Sequence, residues 1–122
     1  MAIVPPHRIP VIVGVPDVID RPADLAQARE PAALMADALL GALHDSAGSA
    51  TPSLLAALDS MDIVAEHSWP YAEPCDVVTA RLGHAPKRCV YGVAGGESPV
   101  RFIHDAALRI ASGDSAVAAV VG

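Results

Sequence analysis

Short unbroken apolar runs alternate along this chain with longer stretches of helical spacing. Ile9 to Val15 is a run that stops at Gly14 and Pro16, and it reads as a buried strand. Residues 16–30 form a polar, proline-containing loop, with a helical turn expected near Ala23–Arg29. Pro31 then opens a helix to about Ala47, closed by Gly48, with Met35, Leu39, Ala42 and Leu43 on one face. Thr51-Pro52 reads as the cap and first position of a short helix over Ser53–Leu58. Asp62 to Glu66 is the second strand, and Ser68-Trp69-Pro70-Tyr71 a loop. A helix over Pro74–Leu82 is stopped by Gly83 and Pro86, and Arg88 to Val93 is the third strand. Ser98 caps a last helix, Pro99 to Ser112, which Gly113 ends, and Ser115 to Val121 is the fourth strand.

Strands alternating with helical segments predict an α/β fold: a parallel sheet of about four strands with helices on both faces. The 122 residues suit one domain, 1–122, and at 52% apolar they can bury a core. Aromatics are only 3%, so that core must be built from Ala, Val, Leu and Ile. The sequence ends on an apolar strand, Val120-Val121-Gly122, whose face and edge need cover from another subunit or from more of a longer chain.

Charge and cysteine content narrow the partners. A net charge of −6 disfavours nucleic acid and anionic membrane, which select basic surfaces. No apolar run is long enough to span a bilayer, and the N-terminus has no signal-peptide pattern. Cys75 and Cys89 have no metal spacing and are too few for a disulfide framework, so they read as reduced, core-packing thiols of a cytoplasmic protein. The five histidines include no i, i+4 pair, and no zinc site is expected.

The candidate chemistry gathers at the loops that follow the strands, where parallel sheets line their ligand crevices. Gly95-Gly96-Glu97-Ser98 is a tight turn into a helix N-terminus, which could cradle an anion, although Glu97 sets a negative charge there. The plainer reading is a turn with Ser98 as helix cap. Gly96-Glu97-Ser98 also matches the start of a serine-hydrolase elbow, but Val100 replaces its second glycine. Pro99 also lacks the N–H that would hold the oxyanion. Gly14-Val15-Pro16-Asp17 does not supply a dinucleotide fingerprint. His67 and Trp69 follow the second strand and could face the same pocket as the glycine turn. Alternatively, Trp69 and Tyr71 pack as a lid on the sheet with His67 in solvent. Arg101, Asp105, Arg109 and Ser112 make a polar stripe on the last helix, expected to be solvated.

Several of these segments together resemble the thiolase superfamily. Arg8-Ile9-Pro10-Val11-Ile12-Val13-Gly14-Val15 is similar to its opening strand, and Glu30-Pro31-Ala32-Ala33-Leu34-Met35 to its first helix. Gly95-Gly96-Glu97-Ser98-Pro99, with Ala106 to Gly113, resembles its nucleophile turn and helix. The Ser68–Tyr71 loop is similar to a branch described as acetyl-CoA acetyltransferase or thiolase-like.

The resemblance covers nearly all of this chain but only the N-terminal part of the family, so it implies an incomplete thiolase-like N-terminal half-domain. It implies acyl-CoA chemistry on a coenzyme A thioester, with no separate cofactor and no metal. Gly95, Gly96, Ser98, His67 and Trp69 would bind substrate. The remainder of a thiolase-like chain or a partner subunit would complete the protein, with homo-oligomers in the complete form. The family's nucleophilic cysteine falls at Gly96, while Cys89 belongs to the preceding strand. Glycine forms no acyl-enzyme, so no catalytic residue is expected in this chain. The resemblance therefore implies either a thiolase-like acyltransferase segment, inactive alone, or a non-catalytic acyl-CoA-binding or scaffold protein.

Overall fold

The computed structural model describes residues 3–122. Four helices and three strands follow one another: α1 (Pro31–Ala47), α2 (Thr51–Ala57), β1 (Ser60–Ile63), α3 (Pro74–Leu82), β2 (Arg88–Tyr91), α4 (Ser98–Ser112) and β3 (Ala118–Val121). Proline stands in the first turn of all four helices, where its missing N–H costs nothing. Gly83 and Gly113 close α3 and α4 at φ 75° and 87°, a left-handed conformation open to glycine at little cost.

The strands make a parallel sheet in the order β2-β1-β3, so the first strand in sequence is the central one. Ser60 pairs with Arg88 on one side and Ala118 on the other; Ile63 pairs with Tyr91 and Val121. Side chains alternate between faces. Met61 and Ile63, both at 0% exposure, point into the main core with Met35 and Leu39 of α1 and Val78 and Leu82 of α3. Ser60 and Asp62 point to the other face, which α4 covers, since Arg109 of α4 reaches Asp62. The arrangement is three-layered, with α1 and α3 on one face and α4 on the other. The β1–β3 register is pinned by a polar clamp. Asp59 accepts from the Ser115 hydroxyl and the Ala116 amide (2.8 Å), and Ser115 also meets Ser60 Oγ at 2.9 Å. Burial works against the Asp59 charge, but these hydrogen bonds outweigh it and hold its pKa below the usual carboxylate value.

The helices match the sequence pattern closely, and the sheet departs from it. Ile9–Val15, expected as a buried strand, is not one. Its residues are largely exposed, Val11 at 70% and Ile12 at 71%, and the segment lies outside the sheet. Its ends are fastened instead: Arg8 donates to the Ser112 carbonyl (3.3 Å), and the Val15 amide to Asp45 (3.1 Å). Apolar residues on both faces specify a strand with cover above, below and alongside, and among the described residues no strand lies alongside this one. β1 is displaced from the expected Asp62–Glu66, starting two residues earlier at Ser60 and ending at Ile63, while β2 and β3 are shorter than the expected Arg88–Val93 and Ser115–Val121. No helix among the described residues is long and apolar enough to cross a membrane.

Candidate functional site

The residues singled out from the sequence lie at the carboxyl end of the sheet, on the segments that follow β1 and β2. After β2, Gly92 to Glu97 turn the chain into α4. Phe102 of α4 packs over Gly92 so closely that a Cβ there would stand 2.0 Å from its ring. Ser98 is the first residue of α4 and is buried. Its hydroxyl donates to the Val93 carbonyl (2.8 Å), closing the turn on itself instead of capping the helix. Glu97 occupies the cap position without a side-chain cap bond, and its carboxylate folds back over Gly95.

Gly95 and Gly96 are exposed. A Cβ on Gly96 would meet nothing within 4 Å, and its φ is not positive. Neither space nor backbone strain requires glycine at this position, so a side chain would fit there beside the N-terminus of α4.

The loop after β1 is held by Glu66 and Tyr91. The Tyr91 hydroxyl, at the end of β2, accepts from the Glu66 amide and donates to the Glu66 carbonyl, both at 2.9 Å. One carboxylate oxygen of Glu66 accepts from the Ser68 hydroxyl (2.6 Å) and from the amides of Ser68 (2.7 Å) and Trp69 (3.1 Å). These bonds, the Ser68 hydroxyl first, hold the Glu66 pKa below its ordinary value. His67 and Trp69 stand exposed at the loop tip, Trp69 at 51%. Tyr71 turns inward against the core. Its hydroxyl accepts from the Ala32 amide (3.0 Å) and donates to Glu30 (2.9 Å), so it satisfies the start of α1. Of the two aromatics, then, Tyr71 packs and Trp69 does not, with ring centroids 6.4 Å apart.

Protonating Glu66 removes the acceptor around which this loop is folded. Its folded pKa is depressed, so the loop order it confers is complete above the ordinary glutamate range and is lost as pH falls through the lower, folded value. Fluorescence of Trp69, the single tryptophan, is expected to hold steady from neutral pH through the ordinary glutamate range and to change only below it. In Glu66→Gln that acid step should be missing. A step centred at or above the ordinary range would contradict the hydrogen-bonded loop.

The sheet thus presents the glycine turn and the His67–Trp69 loop at one end, on neighbouring strands. Gly95, Gly96 and Ser98 form one turn, and His67 and Trp69 belong to a separate loop tied to it through β2. None of the five lines the apolar groove beside β3 or the shallow depression around Asp76, Thr79 and His84. Among the described residues, no three His, Cys, Asp or Glu converge to hold a metal.

A buried ion-pair cluster on the central strand was not read from the sequence. Asp62, 3% exposed on the central strand, meets Arg109 at 2.6 Å and Arg88 at 2.9 Å. Arg109 was expected on a solvated stripe; its side chain is 16% exposed and turned into the molecule. The available signal was the acidic residue inside the apolar run Met61-Asp62-Ile63-Val64, since an unpaired carboxylate is not buried. Cys75 and Cys89 are free thiols packed against the main core. Burial, with the Cys75 thiol alongside, pushes the Cys89 thiol far up from its usual pKa, so it is a poor nucleophile.

A parallel sheet between helix layers, with a glycine turn leading into a helix at its carboxyl end, defines an α/β protein. No protein-family model matches the chain, and no curated protein does. Among solved structures, the chain is similar to a monomeric SCP2-thiolase like protein type 1 from Mycobacterium smegmatis. The two are 26% identical with a TM-score of 0.74, over 89% of this chain. The fold is thiolase-like. The match covers 22% of that larger protein, so this chain corresponds to about a fifth of its length.

Proposed function

We propose that the chain is the N-terminal segment of a thiolase-like acyl-CoA acyltransferase homologue, related to acetyl-CoA acetyltransferases, and that it is catalytically inactive alone. The observation that carries this reading is the open position at Gly96. It lies where the resemblance puts a nucleophilic cysteine, at the N-terminus of α4, where a helix favours a thiolate. Space and backbone for a side chain are both present, and the side chain is not. In this reading residues 1–122 form a partial N-terminal domain. Gly95, Gly96 and Ser98 supply the turn of the pocket, and His67 and Trp69 part of its wall. Ser98 acts through the backbone it fastens, because its hydroxyl is already bound to Val93.

The partner is an acyl-CoA thioester, with the rest of the longer polypeptide or a partner subunit completing the pocket, and a homo-oligomer in complete form. The two free thiols support the cytoplasm as its compartment. The purified chain, given acetoacetyl-CoA and coenzyme A, should show no thiolysis. Measurable turnover would overturn the reading. The missing thiol also favours a second reading, a thiolase-like protein that binds acyl-CoA or scaffolds a partner without chemistry. Affinity for a CoA ester without turnover, both in the natural sequence and in Gly96→Cys, is the result expected of that binder.

A further inference from the structure

Two sulfurs meet beside the main core, and the candidate site uses neither. Cys89 of β2 pairs in register with Met61 of β1. Paired residues of a parallel ladder point to the same face, so Cys89 looks, like Met61, toward the layer that holds α3. Cys75 lies in the first turn of α3 and packs against the same core. There the two thiols are within hydrogen-bonding reach of each other. The chain has two cysteines in 122 residues, and the fold brings those two together.

Neither backbone is loose at this point. Cys89 is held in the β1–β2 ladder, and the Cys75 carbonyl accepts from the Thr79 hydroxyl (2.8 Å). Both cysteines are half-buried, so part of each remains in reach of solvent. β2 is also an edge strand, with no strand on its outer side among the described residues. A small reagent can approach a pair that is already assembled.

We propose that Cys75 and Cys89 are a redox-active pair that closes reversibly into an intramolecular disulfide, with a low-molecular-weight disulfide as oxidant. Cys75 makes the first attack, because burial keeps the Cys89 thiol protonated. Its thiolate bonds to one sulfur of the small disulfide, whose other half leaves as a thiolate. Cys89 then gives its proton to solvent and attacks the Cys75 sulfur, and the second half leaves. Two protein thiols become one disulfide, and one small disulfide becomes two thiols. The new bond joins the start of α3 to β2. The loop with His67 and Trp69 runs into α3, and the glycine turn leaves β2, so the bond ties the anchors of both halves of the candidate site together.

The test equilibrates the full chain with reduced and oxidised glutathione, once folded and once in urea. Acid quenching, alkylation and peptide mapping without reductant then count each disulfide. A cross-link that closes about 15 residues restricts mainly the unfolded chain, so by linkage the folded chain should favour the Cys75–Cys89 bond about a hundredfold more than the urea-unfolded chain does. The oxidised chain should unfold at a higher urea midpoint, and dithiothreitol should restore the lower one. Cys89→Ser should stop at a mixed disulfide between Cys75 and glutathione. A folded-state constant equal to or below the unfolded one would overturn the proposal, because the fold would then hold the sulfurs apart. So would a natural chain that stops at the mixed disulfide, or one that forms disulfides only between molecules.

Discussion

Asp62→Ala should lower the stability of this chain by about 3–5 kcal/mol, the usual cost of removing one partner from a buried ion pair. Asp62 sits on the central strand at 3% exposure, facing α4, with a guanidinium on each of its oxygens. Removing it leaves two cations. Arg88, with its side chain 38% exposed, can turn toward water; Arg109, at 16%, cannot do so without α4 lifting from the sheet. The loss therefore falls mainly on the α4 layer. Against the 5–15 kcal/mol that separates folded from unfolded states in ordinary domains, a loss of this size unfolds a large fraction of the molecules. Urea denaturation should show a lower midpoint at an unchanged slope. Adding Arg109→Met to Asp62→Leu should recover much of the loss, because an apolar pair of similar volume avoids burying a lone charge. A change under about 1 kcal/mol for Asp62→Ala would mean that Asp62 and Arg109 are solvated in solution.

The second large effect concerns reactivity at the glycine turn. In Gly96→Cys the introduced thiol should have a pKa near or below ~7.5, against ~8.5 for a free cysteine. At pH 7 that gives roughly eight times more thiolate. The cause is α4, whose first-turn amides and aligned peptide dipoles favour an anion at this position. Glu97 opposes it, because its carboxylate folds back over Gly95 in the same turn. Adding Glu97→Gln should accordingly lower the thiol pKa further and quicken alkylation. Cys89 supplies an internal contrast: burial raises its pKa, so it should stay unmodified at a pH where the introduced thiol reacts. The pH dependence of iodoacetamide labelling, resolved by peptide mapping, measures all of these. A pKa at or above the free-cysteine value, unmoved by Glu97→Gln, would mean that the helix start does not act on position 96.

How far the sequence anticipated the structure depended on whether a feature is local. The bounds of α1 and α3 are set by a proline inside the first turn and a glycine past the last, and both signals lie within the helix's own sequence. The glycine turn was legible for the same reason, since Gly95, Gly96, Ser98 and Pro99 are contiguous. The errors arose where the outcome depends on a neighbour. Apolar residues on both faces of Ile9–Val15 state what that segment would need around it, and cannot state whether a strand stands beside it. Arg109 fits a polar stripe by spacing alone, and its inward turn is decided by Asp62, far away in sequence. Ser98 reads as a cap from its position, yet its hydroxyl closes on Val93 because the preceding turn brings that carbonyl within reach. Glu66 and Tyr91, which shape the loop carrying His67 and Trp69, become connected only when β1 and β2 lie side by side.

The thiolase-like reading centres on one position, and a single pair of samples tests it. The natural chain and Gly96→Cys are each incubated with acetyl-CoA and examined by intact mass and peptide mapping. In the variant, the thiolate attacks the thioester carbonyl, a carbon–sulfur bond forms at position 96, and coenzyme A leaves as its thiolate. The account predicts a hydroxylamine-labile acetyl group at position 96 in Gly96→Cys, none on the natural chain, and none on Cys75 or Cys89 in either. Acetylation of the natural chain would contradict it. So would a Gly96→Cys thiol that acetylates no faster than the thiols of the urea-unfolded chain.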